Sequence, residues 1–71
     1  MKNTIKIQRA INNITQEELA KLVGVSRQTI NTIESGKYLP STLLALKLAT
    51  VLHITVEALF MLEKQDWEGI N

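Results

Sequence analysis

Seventy-one residues, 45% of them hydrophobic and 21% charged, describe one globular domain near the lower size limit for folding alone, and exclude a disordered chain. The absence of cysteine excludes disulfides and thiolate metal sites and suits a reducing cytoplasm, while no apolar run reaches the length of a membrane span. Net charge is only +1, yet residues 1–40 hold six Lys/Arg against three acids (net +3) and residues 41–71 hold two against four (net −2), so an anionic partner is expected at the N-terminal half.

Residues 1–14 predict a first helix starting near Asn3 or Thr4, either of which is a good cap. Met1–Asn13 mixes Lys, Asn, Gln and Arg among its isoleucines, unlike a secretion signal, and a cytoplasmic protein is expected. Ile5, Ile7, Ile11 and Ile14 do not share one helical stripe. With Ile5 facing the core and Ala10 nearby, Ile7 and Ile11 lie partly outside. They are either ordinary exposed apolar residues, the plainer reading, or a patch for a partner subunit. Asn13-Ile14-Thr15 matches a glycosylation acceptor, but Thr15 reads better as a helix cap.

The stretch from Thr15 to Lys37, TQEELAKLVGVSRQTINTIESGK, carries the strongest signal. Thr15 with Glu18 three residues on fits a capping box. Leu19, Ala20 and Val23 then repeat at helical spacing. Gly24 suits a left-handed helix end, Val25 points back to the core, and Ser26 is a strong N-cap for a second helix. That helix offers Ile30 and Ile33 to the core. Its other face carries Arg27, Gln28, Thr29, Asn31 and Thr32, all hydrogen-bonding groups with no acid among them. Two short helices joined by a tight glycine-containing turn form a helix-turn-helix, whose second helix lies in the major groove of DNA.

The pattern T-Q-E-E-L-A-x-x-x-G-V-S-x-x-T-I-x-x-x-E-x-G-K resembles the Cro/C1-type (XRE-family) helix-turn-helix repressors of bacteria and phages, and the likeness runs on through Pro40-Ser41 to Leu59-Phe60. It is closest to small dimeric repressors of the cytolysin-repressor type, which carry a similar S-R-Q-T-I-N recognition helix. The resemblance implies an ion pair between Arg9 of the first helix and Glu34 ending the recognition helix. It implies that Gln16 reaches the DNA backbone and braces the first glutamine of the recognition helix, here Gln28, and that Lys37 approaches a phosphate. Gln8 stands where the family usually has an apolar residue. In cytolysin-repressor-type proteins the chain end also forms a small β element with the N-terminus, which here places a strand near Met61–Lys64 against Lys2–Thr4.

Beyond the motif, Ser35-Gly36-Lys37 ends the recognition helix, and Tyr38-Leu39-Pro40 is extended because proline disfavours the α region before it. Ser41 caps a fourth helix running through STLLALKLATVLH. Leu44, Ala45, Leu48, Ala49 and Leu52 form its core stripe. Leu43, Leu46 and Val51 have no place in so small an interior, and a helix apolar all round is normally buried all round. A second subunit is therefore expected, with Leu43, Val51, Phe60 and Met61 at its interface. Thr55 caps a short fifth helix containing Val56, Leu59 and Phe60. The tail over 63–71 ends with Trp67 and Ile70 in acidic company; Trp67 either covers an apolar strip or belongs to a disordered end.

Catalytic parts are missing. There is no Cys, no Gly-rich phosphate loop and a single histidine, His53, which alone makes neither a catalytic dyad nor a metal site. Glu17 and Glu18 are adjacent, face different directions and suit a solvated first turn. No enzyme, cofactor or metal is expected. Recognition chemistry remains: Gln28 suits adenine and Arg27 suits guanine or a rim phosphate, Asn31 and Thr32 lie one turn on, with the Thr32 methyl suited to a thymine methyl, Thr29 is expected near phosphate, and the capping Ser26 belongs to the same DNA-binding set.

The sequence is thus read as one all-α, five-helix domain over 1–71, with a helix-turn-helix unit over 15–36, a recognition helix over 27–35 and a small β element joining the termini. Its expected core is Leu19, Ala20, Val23, Val25, Ile30, Ile33, Leu48, Ala49, Leu52, Leu59 and Phe60. The function read from it is sequence-specific binding of double-stranded DNA, as a homodimeric repressor on a palindromic operator through Gln16, Ser26, Arg27, Gln28, Thr29, Asn31, Thr32 and Lys37. The alternative is an antitoxin-type module that binds an unidentified protein partner and regulates its own gene through DNA.

Overall fold

The computed structural model describes residues 1–68, and its helices start and stop at recognisable chemical signals. The elements run β1 (Lys2–Asn3), α1 (Ile5–Ile11), α2 (Gln16–Val23), α3 (Arg27–Glu34), α4 (Thr42–Val51), α5 (Val56–Leu59) and β2 (Phe60–Met61), followed by a 3₁₀ turn over Lys64–Trp67. Four helices open on a hydroxyl that accepts a backbone N–H three residues on: Thr15 from Glu18, Ser26 from Thr29, Ser41 from Leu44 and Thr55 from Ala58. Each such cap contributes about 1 kcal/mol. At α2 the box is complete, because the Thr15 N–H also donates to Glu18 Oε1 at 2.9 Å.

α1 starts differently. Thr4 makes no side-chain cap; instead Asn3 Oδ1 accepts from the Ile5 N–H at 3.2 Å. Thr4 is diverted to the far end of the chain, donating from Oγ1 to the Ala58 carbonyl and from its N–H to the Leu59 carbonyl. That bond continues a two-residue antiparallel ladder, Lys2 opposite Met61 and Asn3 opposite Phe60. The β element joining the termini is therefore present, its second strand lying at Phe60–Met61 rather than Met61–Lys64. A ladder this short depends on the packing around it.

α1 to α4 end alike. Asn13, Gly24, Gly36 and His53 adopt left-handed φ of 53°, 78°, 79° and 57°, and the next residue's N–H returns five positions to Arg9, Ala20, Thr32 and Ala49. This closure satisfies carbonyls that a helix end leaves free. α4 accordingly stops at Val51 instead of running through His53.

Among the described residues, twelve side chains make the core: Ile5, Leu19, Ala20, Val23, Ile30, Ile33, Leu44, Leu48, Ala49, Leu52, Leu59 and Phe60. Three expectations need correcting. Val25 is half-buried, packing on the edge of the core beyond the Gly24 turn. Ala10 is exposed, and Ile14 packs against the core instead. Phe60, expected both in the core and at a subunit interface, is only 8% exposed and belongs to the core: pairing with Asn3 turns its ring into the protomer's own interior.

The 3₁₀ turn is held from both sides. The Glu63 N–H donates to Asp66 Oδ2 at 2.7 Å, and the Met1 ammonium reaches Glu63 Oε1 at 2.9 Å and Asp66 Oδ2 at 3.1 Å. Those bonds hold the Asp66 carboxyl below its ordinary range, chiefly through the Glu63 N–H, and raise the ammonium through the Glu63 and Asp66 side chains. Trp67 covers no apolar strip, being 66% exposed, and Ile70 lies outside the described residues.

Candidate nucleic-acid interface

α3 is positioned by contacts on both its flanks. Ile30 and Ile33 are fully buried and set its inward face. At its C-terminal end, the Ile33 carbonyl accepts from Asn3 Nδ2 at 2.9 Å. Asn3 thus uses its oxygen to start α1 and its nitrogen to finish α3.

Arg9 and Glu34 meet in a two-pronged ion pair. Arg9 Nε donates to Glu34 Oε2 at 2.6 Å and Nη2 donates to Oε1 at 3.2 Å, while Nη1 donates to the Ile14 carbonyl. Such forked geometry fixes orientation as well as adding attraction. It ties α1, the α1–α2 turn and α3 together. It also engages the one acid of α3, leaving the outward face of that helix without a free carboxylate.

Gln16 does not brace Gln28. Its Nε2 donates to Glu34 Oε1 at 3.1 Å and lies 3.4 Å from Asn31 Oδ1. The reason is reach: Gln28 sits in the first turn of α3, whereas Asn31 and Glu34 lie one and two turns down, beside the start of α2.

The outward face divides into two parts. Arg27, Gln28 and Asn31 are all exposed and line one polar concavity, with no side-chain hydrogen bond to Arg27 or Gln28 among the described residues. Thr29, Thr32, Lys37 and Tyr38 line a shallow groove beside it. There the hydroxyls are largely committed: Thr32 Oγ1 donates to the Gln28 and Thr29 carbonyls, and Ser26 Oγ and Thr29 Oγ1 share a hydrogen bond at 2.9 Å. Thr32 therefore has mainly its methyl to offer. Tyr38, half exposed beside Lys37, was not singled out in the sequence; its place directly after the recognition helix was the available signal.

Residues 5–59 match the family model described as Helix-turn-helix. The chain belongs to the Cro/C1-type helix-turn-helix family. Members of that family are DNA-binding transcriptional regulators. An uncharacterised HTH-type transcriptional regulator of Methanocaldococcus jannaschii is 52% identical over 66 residues, covering 93% of this chain and 100% of the relative. One from Bacillus subtilis is 46% identical over 66 residues, with the same coverage of 93% and 100%. The ImmF control region 10 kDa protein of Bacillus phage phi105 is 38% identical over 61 residues, covering 86% and 68%. Among solved structures, the restriction-modification controller protein C.AhdI from Aeromonas hydrophila superposes with a TM-score of 0.73 at 36% identity, over 79% of this chain and 85% of that one. In this helix-turn-helix regulator, no group of three or more His, Cys, Asp or Glu side chains converges as a metal site among the described residues. No described helix is long and apolar enough to cross a membrane.

Proposed function

We propose that this helix-turn-helix protein is a cytoplasmic repressor that binds a two-fold symmetric operator in double-stranded DNA as a homodimer, each protomer laying α3 in the major groove. The observation that supports it most is the outward face of α3. Arg27, Gln28 and Asn31 share one exposed concavity, and the helix's acid is held away by Arg9. Gln28 has the donor and acceptor that adenine N7 and N6 require, and the Arg27 fork fits guanine or a phosphate at the rim. Lys37 and Tyr38, with Thr29 and the capping Ser26, are read as holding the backbone on either side of the reading helix; such contacts fix register without carrying sequence. The repressor part of this reading is supported by size: a domain this small, seated over a promoter, needs no further part to block it.

Selection of binding sites from a randomised pool of duplexes tests the reading. Enrichment of a symmetric site, with half-site centres about 34–36 Å apart, is the expected result. A protein that enriches nothing over random duplex would overturn it.

A further inference from the structure

Four side chains from three helices form a chain of hydrogen bonds whose direction is set at its first step. Arg9 is purely a donor and Glu34 purely an acceptor; they meet at 2.6 and 3.2 Å. The same Glu34 Oε1 takes a second bond from Gln16 at 3.1 Å. A carboxylate oxygen repels the amide oxygen, so Gln16 must turn its NH₂ group toward α3. That NH₂ lies 3.4 Å from Asn31, and two NH₂ groups would repel in turn. Asn31 therefore points Oδ1 inward, and its Nδ2 is left for the exposed face it shares with Arg27 and Gln28.

We propose that Gln16 is a positioning residue that sets the hydrogen-bond polarity of Asn31, so that Asn31 meets DNA as a donor and favours guanine over adenine at one base pair of each half-site. This rests on the reading of α3 as the helix that enters the major groove. A free asparagine pairs with adenine by donating to N7 and accepting from N6. With its oxygen turned toward Gln16, Asn31 presents its NH₂ group to the groove, as a donor. Guanine offers two acceptors, N7 and O6, whereas adenine sets its N6 donor against the amide. Gln28, with both ends of its amide free among the described residues, stays an adenine reader. Two neighbouring amides on one helix face thus read different purines because one of them is wired to α2. Both Gln16 Nε2 hydrogens are engaged by side chains of α3, Glu34 and Asn31, so its NH₂ has none left for a phosphate.

The test uses the full chain and the site recovered by selection, with every base pair of a half-site varied singly. Asn31→Ala first locates the dependent position as the one where preference flattens. There the unmodified protein is expected to favour guanine over adenine by roughly five- to tenfold, the low end of base-edge discrimination. Gln16→Leu, which removes the donor, is expected to erase or reverse that preference at this position alone, with an unchanged melting temperature. Gln16→Lys, which keeps a donor toward Glu34 and Asn31, should retain it, and Gln16→Leu added to Asn31→Ala should change nothing more. If Gln16→Leu does not fold, Gln16→Ala gives the same readout with a smaller side chain. An adenine preference in the unmodified protein overturns the proposal, as does a Gln16 variant that weakens all sites equally. A failure of the unmodified protein to select any duplex is a different result: it removes the DNA-reading role of α3, and the polarity argument falls with it.

Discussion

Gln28 in the first turn of α3 and Lys37 just beyond its C-terminal end are expected to fail in different ways. Gln28 is exposed, lies in the polar concavity and has no competing side-chain partner among the described residues, so its full amide is available to a base edge. Gln28→Ala should cost about 1–3 kcal/mol on the selected site and relax preference at one base pair per half-site. Lys37 follows the C-cap and shares its groove with Tyr38. Lys37→Ala should weaken binding to every sequence alike and flatten the salt dependence, because a phosphate contact carries no base identity. Competition binding against single-base-pair variants separates the two, and exchanged phenotypes would mean that α3 docks differently. At this scale the sequence did show which side chains of α3 face outward, Arg27, Gln28 and Asn31 among them. It failed where side chains choose partners: the link from Gln16 to Asn31 and Glu34 depends on which residues α2 and α3 bring within 3.5 Å, and spacing along one helix does not encode that.

The helices were legible because their signals are local. Thr15, Ser26, Ser41 and Thr55 cap by bonds to residues three positions away, so pattern alone located the four starts. The exceptions involve distant partners. Thr4 caps nothing because the end of α5 claims it, and Ile14 rather than Ala10 packs on the core because of what lies against it. Two outcomes are expected here. His53 sits at φ 57° to close α4, a conformation that costs a non-glycine residue about 1–2 kcal/mol. His53→Gly should therefore raise stability by about 0.5–1 kcal/mol after the extra chain entropy of glycine is deducted; a lower melting temperature would show that the imidazole makes a compensating contact. The second concerns Glu18, whose carboxyl is held below its ordinary value of 4.5, chiefly by the hydrogen bond from the Thr15 N–H. A depressed folded-state pKa contributes stability above the unfolded-state value, and that contribution is lost as pH falls through the folded-state value. The melting-temperature advantage of the native protein over Glu18→Gln should accordingly hold near neutrality and shrink below about pH 4.5. An advantage independent of pH would mean that Glu18 acts by packing.

For the whole molecule the question is what covers α4. Leu43 and Leu46 are 65% and 53% exposed and, with Leu22, Lys47, Thr50 and half-buried Val51, border one apolar groove. Leu46 also borders a second, with Met1, Pro40, Ala45, Val56 and Phe60. Contiguous apolar surface of this kind on a small domain favours a contact site, and the proposed second copy would also supply a second reading helix. Light scattering at micromolar concentration is expected to give close to twice the 8.0 kDa chain mass. A monomer both free and on DNA contradicts the dimer, and co-purification with a different chain would assign this face to another protein. The proposed dimer carries an electrostatic consequence as well. If each protomer brings two or three of Lys6, Arg27 and Lys37 to the backbone, a dimer neutralises roughly four to six phosphates, and log K should fall against log salt with a slope of about −4 to −5. A single bound protomer would give roughly half that slope. A titration from low to physiological salt therefore reports subunit number on the DNA independently of the mass measurement. A flat response would mean that the positive half of this chain does not face the phosphates, which no docking of α3 in the major groove permits.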